Sequence, residues 1–458
     1  MFDLNKAIYN KYIAKTERVP AKTVGLEFEL PIVNLSEKPV DFRTVHETTE
    51  KFVRHFPFTE ICRDDDGYIY SATEPVTGDN LSFDCSYNTL EFSFGKEADI
   101  NLLENRFRNY YSYVQGLLLK NNHTITGMGI NPHHKLNRNV PVLSERYRML
   151  FHHLCSYRIY ENQILFHDHP NFGLFTSASQ VQLDVGKDNL CEVLNTFSLI
   201  EPLKALILAN SPWGENFEVL CSRDNFWRNS LHGLNRHNVD MYGLQFESAC
   251  EVVEYIKSMS IYCVMRDGRY INFHPTPLTE YFSADKVTGE FFDGKSYKSV
   301  TFRPGPEDLE YLRSYKFEDL TFRGTIEFRS VCEQPVSEIF ASGAMHAGLI
   351  YNIHALTERI ADDHVIYHHG YNSSELRRLF VKKDIPDAFN MTEVSRLTLD
   401  ILDIARDGLK ARGFGEEHFL DPLYVRAENL TSPARELADG ILSGKAMDYY
   451  IEKFGALQ

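Results

Sequence analysis

The stretch "VGLEFELPIV", residues 24–33, decides the fold. Leu26, Phe28 and Leu30 alternate with Glu27 and Glu29. A period of two is that of a β-strand, whose successive side chains face opposite ways. A strand here puts three large apolar groups on one face and two carboxylates on the other. Neighbouring like charges repel, so the pair calls for a counter-charge.

Three further stretches carry the same pattern. In "TLEFSF" (89–94), Leu90, Phe92 and Phe94 back Glu91 and Ser93. In "SQVQLDV" (179–185), Val181, Leu183 and Val185 back Gln180, Gln182 and Asp184. In "GTIEFRS" (324–330), Ile326 and Phe328 back Glu327 and Arg329. An antiparallel sheet with one wet face reads this way too. Wet faces, however, favour Thr, Lys and mixed charges. If the strands are neighbours, Glu27, Glu29, Glu91 and Glu327 converge. Converging carboxylates are hard oxygen donors suited to Mg²⁺ or Mn²⁺. With an arginine beside them they are equipment for phosphoryl transfer from ATP.

The rest of the chain limits what surrounds this face. With 458 residues, 43% hydrophobic and 13% aromatic, it has ample material for a packed core. A net charge of −16 argues against a nucleic-acid surface. The polar N-terminus lacks the apolar core of a signal peptide, and no stretch has the length of a membrane span. The expected location is therefore the cytoplasm. Eight cysteines (62, 85, 155, 191, 221, 250, 263 and 332) never form CxxC, which suits reduced thiols.

Apolar spacing predicts helices over 1–20, 43–56, 101–120, 144–160 and 189–209. Strand-like stretches fall at 24–34, 67–72, 80–95, 123–130 and 176–186. The polar, glycine-containing segment 286–320 reads as a loop or flap, open to use as a lid. From 336 onward the pattern is helical. Strands first and helices later favour α+β architecture. The chain reads as one catalytic unit, 1–458, with a mixed part to 335 that carries the site and a helical part over 336–458.

Other signals are weaker. Histidine doublets occur at His133–His134, His152–His153 and His368–His369, with "HDHP" at 167–170. A zinc or iron centre on His167 and His169 is conceivable, but adjacent histidines do not share a face and HExxH is absent. "GMGINP" (127–132) is neither GxGxxG nor GxxxxGK and reads as a buried turn.

Several stretches, in order, resemble the glutamate–cysteine ligases of the carboxylate–amine ligase group, especially the plant and proteobacterial branch. "VGLEFEL" resembles the family's first acidic strand, and "LSFDCSYNTLEFS" its second, with Asp84 and Glu91 flanking a short turn. "GMGINP" and "SERYRML" resemble the segments leading to the nucleotide region. "ASQVQLDV" is similar to the glutamine-bearing strand, and "LANSPW" with "CSRDNFW" to the Ala-Asn-Ser-Pro segment and its Ser-x-Arg. "SIYCVMRDGRYINF" and "GTIEFRS" complete the series. The resemblance implies a six-stranded antiparallel sheet curved into a funnel, glutamine synthetase-like and covered by helices.

It further implies that Glu27, Glu29, Asp84, Glu91 and Glu327 ligate Mg²⁺, with Gln180 a further ligand. Arg329 would act with Glu327 in catalysis, stabilising the phosphoryl group in flight. Arg223, Gln182 and Tyr147 would serve the substrate and nucleotide pockets. The implied activity joins the γ-carboxylate of L-glutamate to the amine of L-cysteine through a γ-glutamyl phosphate, the first step of glutathione synthesis. The implied partners are small molecules (glutamate, an amine such as cysteine, ATP), with no nucleic acid and no membrane, and a homodimer is left open. This chain reads "SVCEQP" (330–335) where the family runs Gly-Ala-Asp, and "CSYN" (85–88) where it has a glycine pair. Two alternatives therefore stand beside cysteine ligation: the same activation with another amine, or a silent relative that binds an amino acid or nucleotide.

Overall fold

The computed structural model describes residues 2–160, 166–363 and 370–457. In chain order the first strands are β1 (Val24–Asn34), β2 (Glu60–Arg63), β3 (Ile69–Thr73), β4 (Asn80–Phe83) and β5 (Thr89–Ser93). They are followed by β6 (His123–Ile125), β7 (Ser179–Asp184), β8 (Val239–Asp240), β9 (Ser260–Arg266) and β10 (Arg269–Pro277). The last are β11 (Val287–Phe292), β12 (Tyr297–Phe302), β13 (Tyr315–Lys316), β14 (Glu318–Leu320) and β15 (Thr325–Phe328).

The main sheet runs β14-β15-β7-β1-β5-β4-β3-β2, with β6 also paired to β1, all antiparallel. The α+β expectation holds. The strand count of six does not: this sheet has nine strands. The stretch 80–95 supplies two of them, because the chain reverses at 84–88, where Cys85 adopts a left-handed φ of 57°. Glu318–Leu320 adds another from inside the segment read as a loop.

That segment, 286–320, is the largest departure from the sequence reading. β11 and β12 form a hairpin that extends a second, four-stranded sheet in the order β12-β11-β10-β9. Its polar residues misled because both strands are mostly exposed or half-exposed, so no continuous apolar face marks them. At the N-terminus, the helix expected over 1–20 occupies Leu4–Thr16 and passes from α through π to 3₁₀ geometry.

Helices pack behind the main sheet. Phe28 meets Phe94, Phe107 and Phe340 at ring separations of 5.2 to 6.0 Å. Leu26 lies against Gly343 of the helix Ala341–Tyr351. That helix crosses the long helix Met391–Arg412 at Gly348 and Gly408. A Cβ on Gly348 would lie 2.1 Å from the Ala405 carbonyl oxygen, so only glycine allows the crossing. Asn390 caps the long helix at its start, and Gly413, at φ 83°, ends it in the left-handed conformation. With the apolar side of every site strand fixed against these helices, the acidic side must face away from them.

Candidate functional site

Register brings the acids together. On β1 and β5, Glu29 stands directly opposite Glu91, and Glu27 opposite Ser93. On the other flank Glu27 pairs with Gln180 of β7, and Gln182 pairs with Glu327 of β15. Asp319 of β14 lies opposite Glu327. Asp84 joins from the turn after β4. Ligand oxygens of Glu29, Asp84 and Glu91 lie within 4.8 Å of one another, the one such cluster of three His, Cys, Asp or Glu found among the described residues.

Polar side chains link these groups. Gln182 Nε2 donates to Glu27 Oε1 at 2.7 Å and to Glu327 Oε1 at 2.9 Å. Gln180 Nε2 donates to Glu29 Oε1 at 2.8 Å, while its Oε1 accepts from Arg329 Nη1 at 2.9 Å. Arg329 Nε lies 2.6 Å from Glu327 Oε2. One chain of contacts thus runs from the Glu29 end of the face to the Glu327 end.

The electrostatics are those of crowded, buried acids. Burial, with the charges of Glu327 and Glu91, pushes the Glu27 carboxyl up to about 8. Burial, with the charge of Asp84, pushes Glu91 up to about 7. Glu29 is driven well above the usual range by burial and by Asp84, and Asp84 is raised by burial. Burial opposes the charge of Arg329, yet Glu327, Asp319 and Glu27 hold its guanidinium above its usual range. In total the face holds more acid than its arginines neutralise.

All of these residues line one cavity of about 710 Å³, apart from Gln182, which sits between the two carboxylates it bonds. Arg223 also lines it, at the start of the helix Arg223–Arg228, with Nη1 donating to the Val331 carbonyl at 3.1 Å and Nε without a protein partner. Tyr147 lines it from the helix Glu145–Cys155, which Ser144 caps. Asp184, on the polar side of β7, is not part of the cavity wall; it accepts from Arg18 at 2.7 Å and Thr23 at 3.1 Å.

Sequence reasoning missed four groups. Arg146 lines the cavity and interacts with Asp84. Its neighbour Tyr147 was singled out, but the capping Ser144 was the available cue to where this helix begins. Asp319, pushed up to about 6 chiefly by burial, was hidden in the segment read as a loop. Arg323 donates to Gln182 Oε1 at 2.7 Å from an exposed turn with no pattern of its own. Glu333 lies fully buried behind the face, where it accepts from the Glu29 backbone N–H at 2.8 Å and from Ser179 Oγ at 3.1 Å.

The His167–His169 pair is occupied within the protein. His167 Nε2 is 2.8 Å from the Phe226 carbonyl, and its Nδ1 accepts from the His169 N–H, so neither nitrogen turns to a shared metal. His368–His369 lies outside the described residues. The turn at "GMGINP" is buried: a Cβ on Gly127 would lie 2.1 Å from the Gln334 carbonyl oxygen. Among the described residues no helix is long and apolar enough to cross a membrane.

Comparison with known proteins agrees with the motif resemblance. The chain is 20% identical over 272 residues to the chloroplastic glutamate–cysteine ligase of Solanum lycopersicum, covering 58% of this chain and 49% of that protein. It is 23% identical over 274 residues to glutamate–cysteine ligase A of Oryza sativa subsp. indica, covering 57% and 51%. With the enzyme of Arabidopsis thaliana it shares 22% over 278 residues, covering 58% and 49%. The chain thus spans about half the length of the curated relatives it matches. No family model matches it. Among solved structures, a glutamate–cysteine ligase from Francisella tularensis in complex with AMP aligns with a TM-score of 0.48 and 9% identity, covering 94% of this chain and 87% of that one. A bifunctional glutathione synthetase from Pasteurella multocida aligns with a TM-score of 0.44 and 11% identity, covering 98% and 52%.

Proposed function

We propose that the chain is an ATP-dependent carboxylate–amine ligase of the glutamate–cysteine ligase type. It would activate the γ-carboxylate of L-glutamate and pass the acyl group to an amine, with L-cysteine the leading acceptor. The observation that carries this reading is the convergence of Glu27, Glu29, Asp84, Glu91 and Glu327 on one cavity beside Arg329.

The donor set fits Mg²⁺ or Mn²⁺: all carboxylate, closely spaced, and buried enough that the acids repel unless a cation lies among them. When bound, such ions neutralise the repulsion between a substrate carboxylate and the phosphates of ATP. The protein's own groups do the rest. Glu327 and Gln180 hold the Arg329 guanidinium from two sides, so it is oriented before phosphoryl charge develops. The Arg223 Nε, without a protein partner, and Arg146 offer further cationic contacts for anionic substrates. The γ-carboxylate oxygen takes the γ-phosphoryl group and ADP leaves. The amine nitrogen then bonds the acyl carbon, the carbon–oxygen bond to phosphate breaks, and inorganic phosphate departs with the surplus proton passing to water.

The test is ADP release with Mg²⁺, ATP and glutamate against a panel of amines, with product mass read in parallel. Turnover that depends on glutamate and gives a γ-glutamyl amide supports the reading, and the amine that works names the pathway. Absence of turnover with every amine would overturn it in favour of a binding protein.

A further inference from the structure

Two glutamines on β7 link carboxylates to an arginine in the same way. Gln180 donates to Glu29 and accepts from Arg329. Gln182 donates to Glu27 at 2.7 Å and to Glu327 at 2.9 Å, and its oxygen accepts from Arg323 Nη2 at 2.7 Å. In both relays the amide N–H end faces the acids and the amide oxygen faces a guanidinium. An N–H cannot ligate a cation, and the oxygen that could is turned away.

The two arginines are not held alike. Arg329 also meets Glu327 at 2.6 Å and lies 3.8 Å from Asp319. The Arg323 guanidinium meets Gln182 and, at 3.9 Å, Glu327, and its side chain is 47% exposed against 31% for Arg329. The backbone that carries Arg323 is fixed. In the turn 321–325, the Thr321 N–H donates to the Thr325 carbonyl at 2.9 Å and the Gly324 N–H to the Thr321 carbonyl at 3.1 Å. Gly324, at φ 76°, packs so close to the N-terminal segment that a Cβ would lie 2.6 Å from the Lys15 carbonyl oxygen. From the same segment Arg18 Nη2 donates to the Arg323 carbonyl at 3.2 Å. Freedom to move therefore resides in the Arg323 side chain and not in the turn.

We propose that Arg323 is a positioning residue that latches the Glu27–Glu327 end of the face through Gln182 and is released when a divalent cation binds there. With no cation bound, its charge partly offsets those of Glu327 and Glu27, and its N–H holds the Gln182 oxygen away from them. Beside a divalent cation the guanidinium is a like charge and the Gln182 N–H a misplaced donor. Arg323 then swings out toward water and the half-exposed ring of Phe322, whose centroid is 5.2 Å from its guanidinium carbon, and the freed amide turns its oxygen inward. The inference rests on the reading that divalent cations bind this acidic face.

The test titrates Mn²⁺ into the full-length, metal-free protein, with free Mn²⁺ read by electron paramagnetic resonance and no ATP or amine present. Arg323→Gln should tighten binding at one class of sites on the order of tenfold, and Arg323→Lys, which keeps the charge, should tighten it less. Lys15→Gln, which removes a charge from the exposed segment behind the turn, should leave binding unchanged. A gain in affinity is not what damage to the fold produces. In a Gln182→Leu background Arg323→Gln should have a smaller effect, because the amide it controls is gone. Unchanged or weaker Mn²⁺ binding in Arg323→Gln, an equal gain in Lys15→Gln, or the same gain with and without Gln182 would overturn the latch alone. Failure of Mn²⁺ to bind both the unmodified protein and Arg323→Gln would overturn the cation reading and the latch together. Binding is read without turnover, so a failed ligase assay remains distinguishable from a failed latch.

Discussion

Glu29 and Glu91 stand directly opposite each other on adjacent antiparallel strands, both carboxylates turned to the same face. Ionised together, like charges so placed destabilise a sheet, and the raised carboxyls of Glu29 and Glu91 express that cost. Both strands are otherwise well packed, with Phe28 and Phe92 buried behind them. The sheet therefore tolerates a local repulsion that a bound cation would relieve.

Glu29→Gln should raise the melting temperature of the metal-free protein slightly and remove most of the increment that Mg²⁺ gives the unmodified chain. Thermal unfolding with and without a chelator reads both effects. A variant that still responds fully to Mg²⁺ would contradict the placement of the cation at this pair.

The raised carboxyls set a pH dependence. Glu27 and Glu91 hold their protons in the folded state up to about 8 and about 7, whereas an unfolded Glu releases its proton near 4.3. Between those values the folded state binds more protons than the unfolded one, so the contribution of these groups to stability falls as pH rises. In chelator, urea midpoints should drop from pH 5 to pH 8, and the drop should be shallower in Glu27→Gln and Glu91→Gln. Equal slopes in all three proteins would rule out these two acids as the cause.

Arg329→Ala should lower single-turnover phosphoryl transfer on the order of 10³-fold, the scale of arginines that stabilise transferring phosphoryl charge. Arg329→Lys should recover only part of the loss, because one ammonium cannot meet Glu327 and Gln180 in the same geometry. A loss of only a few-fold would mean the guanidinium merely balances charge.

Arg377, 1% exposed on the helix Ser373–Phe380, joins Glu201 at 2.5 Å to Asp224 at 2.7 Å. Asp224 adjoins Arg223 in the chain, so this buried pairing supports the cavity from behind. Arg377→Met should cost about 3–5 kcal/mol, since it leaves buried Asp224 without its charged partner and Glu201 with Lys204 alone. Chemical denaturation measures this directly, and a change below about 1 kcal/mol would show that neither Glu201 nor Asp224 depends on Arg377.

Period-two alternation, a local property of the backbone, let the sequence alone determine which side chains share a face. Glu27 with Glu29, Gln180 with Gln182 and Glu327 with Arg329 could be read before any fold was known. The motif order added the family resemblance, and helical spacing located the C-terminal helices. Tertiary structure alone decided that β1 lies between β5 and β7, which places Glu91 and Gln180 on either side of the same strand although they are far apart in sequence. It also decided the burial that raises the acids, because burial depends on what packs around a group and not on its neighbours in the chain. Asp319, Glu333 and Arg323 became visible only there: each sits in a short or irregular segment with no repeating pattern, and its chemistry comes from residues brought to it by the fold.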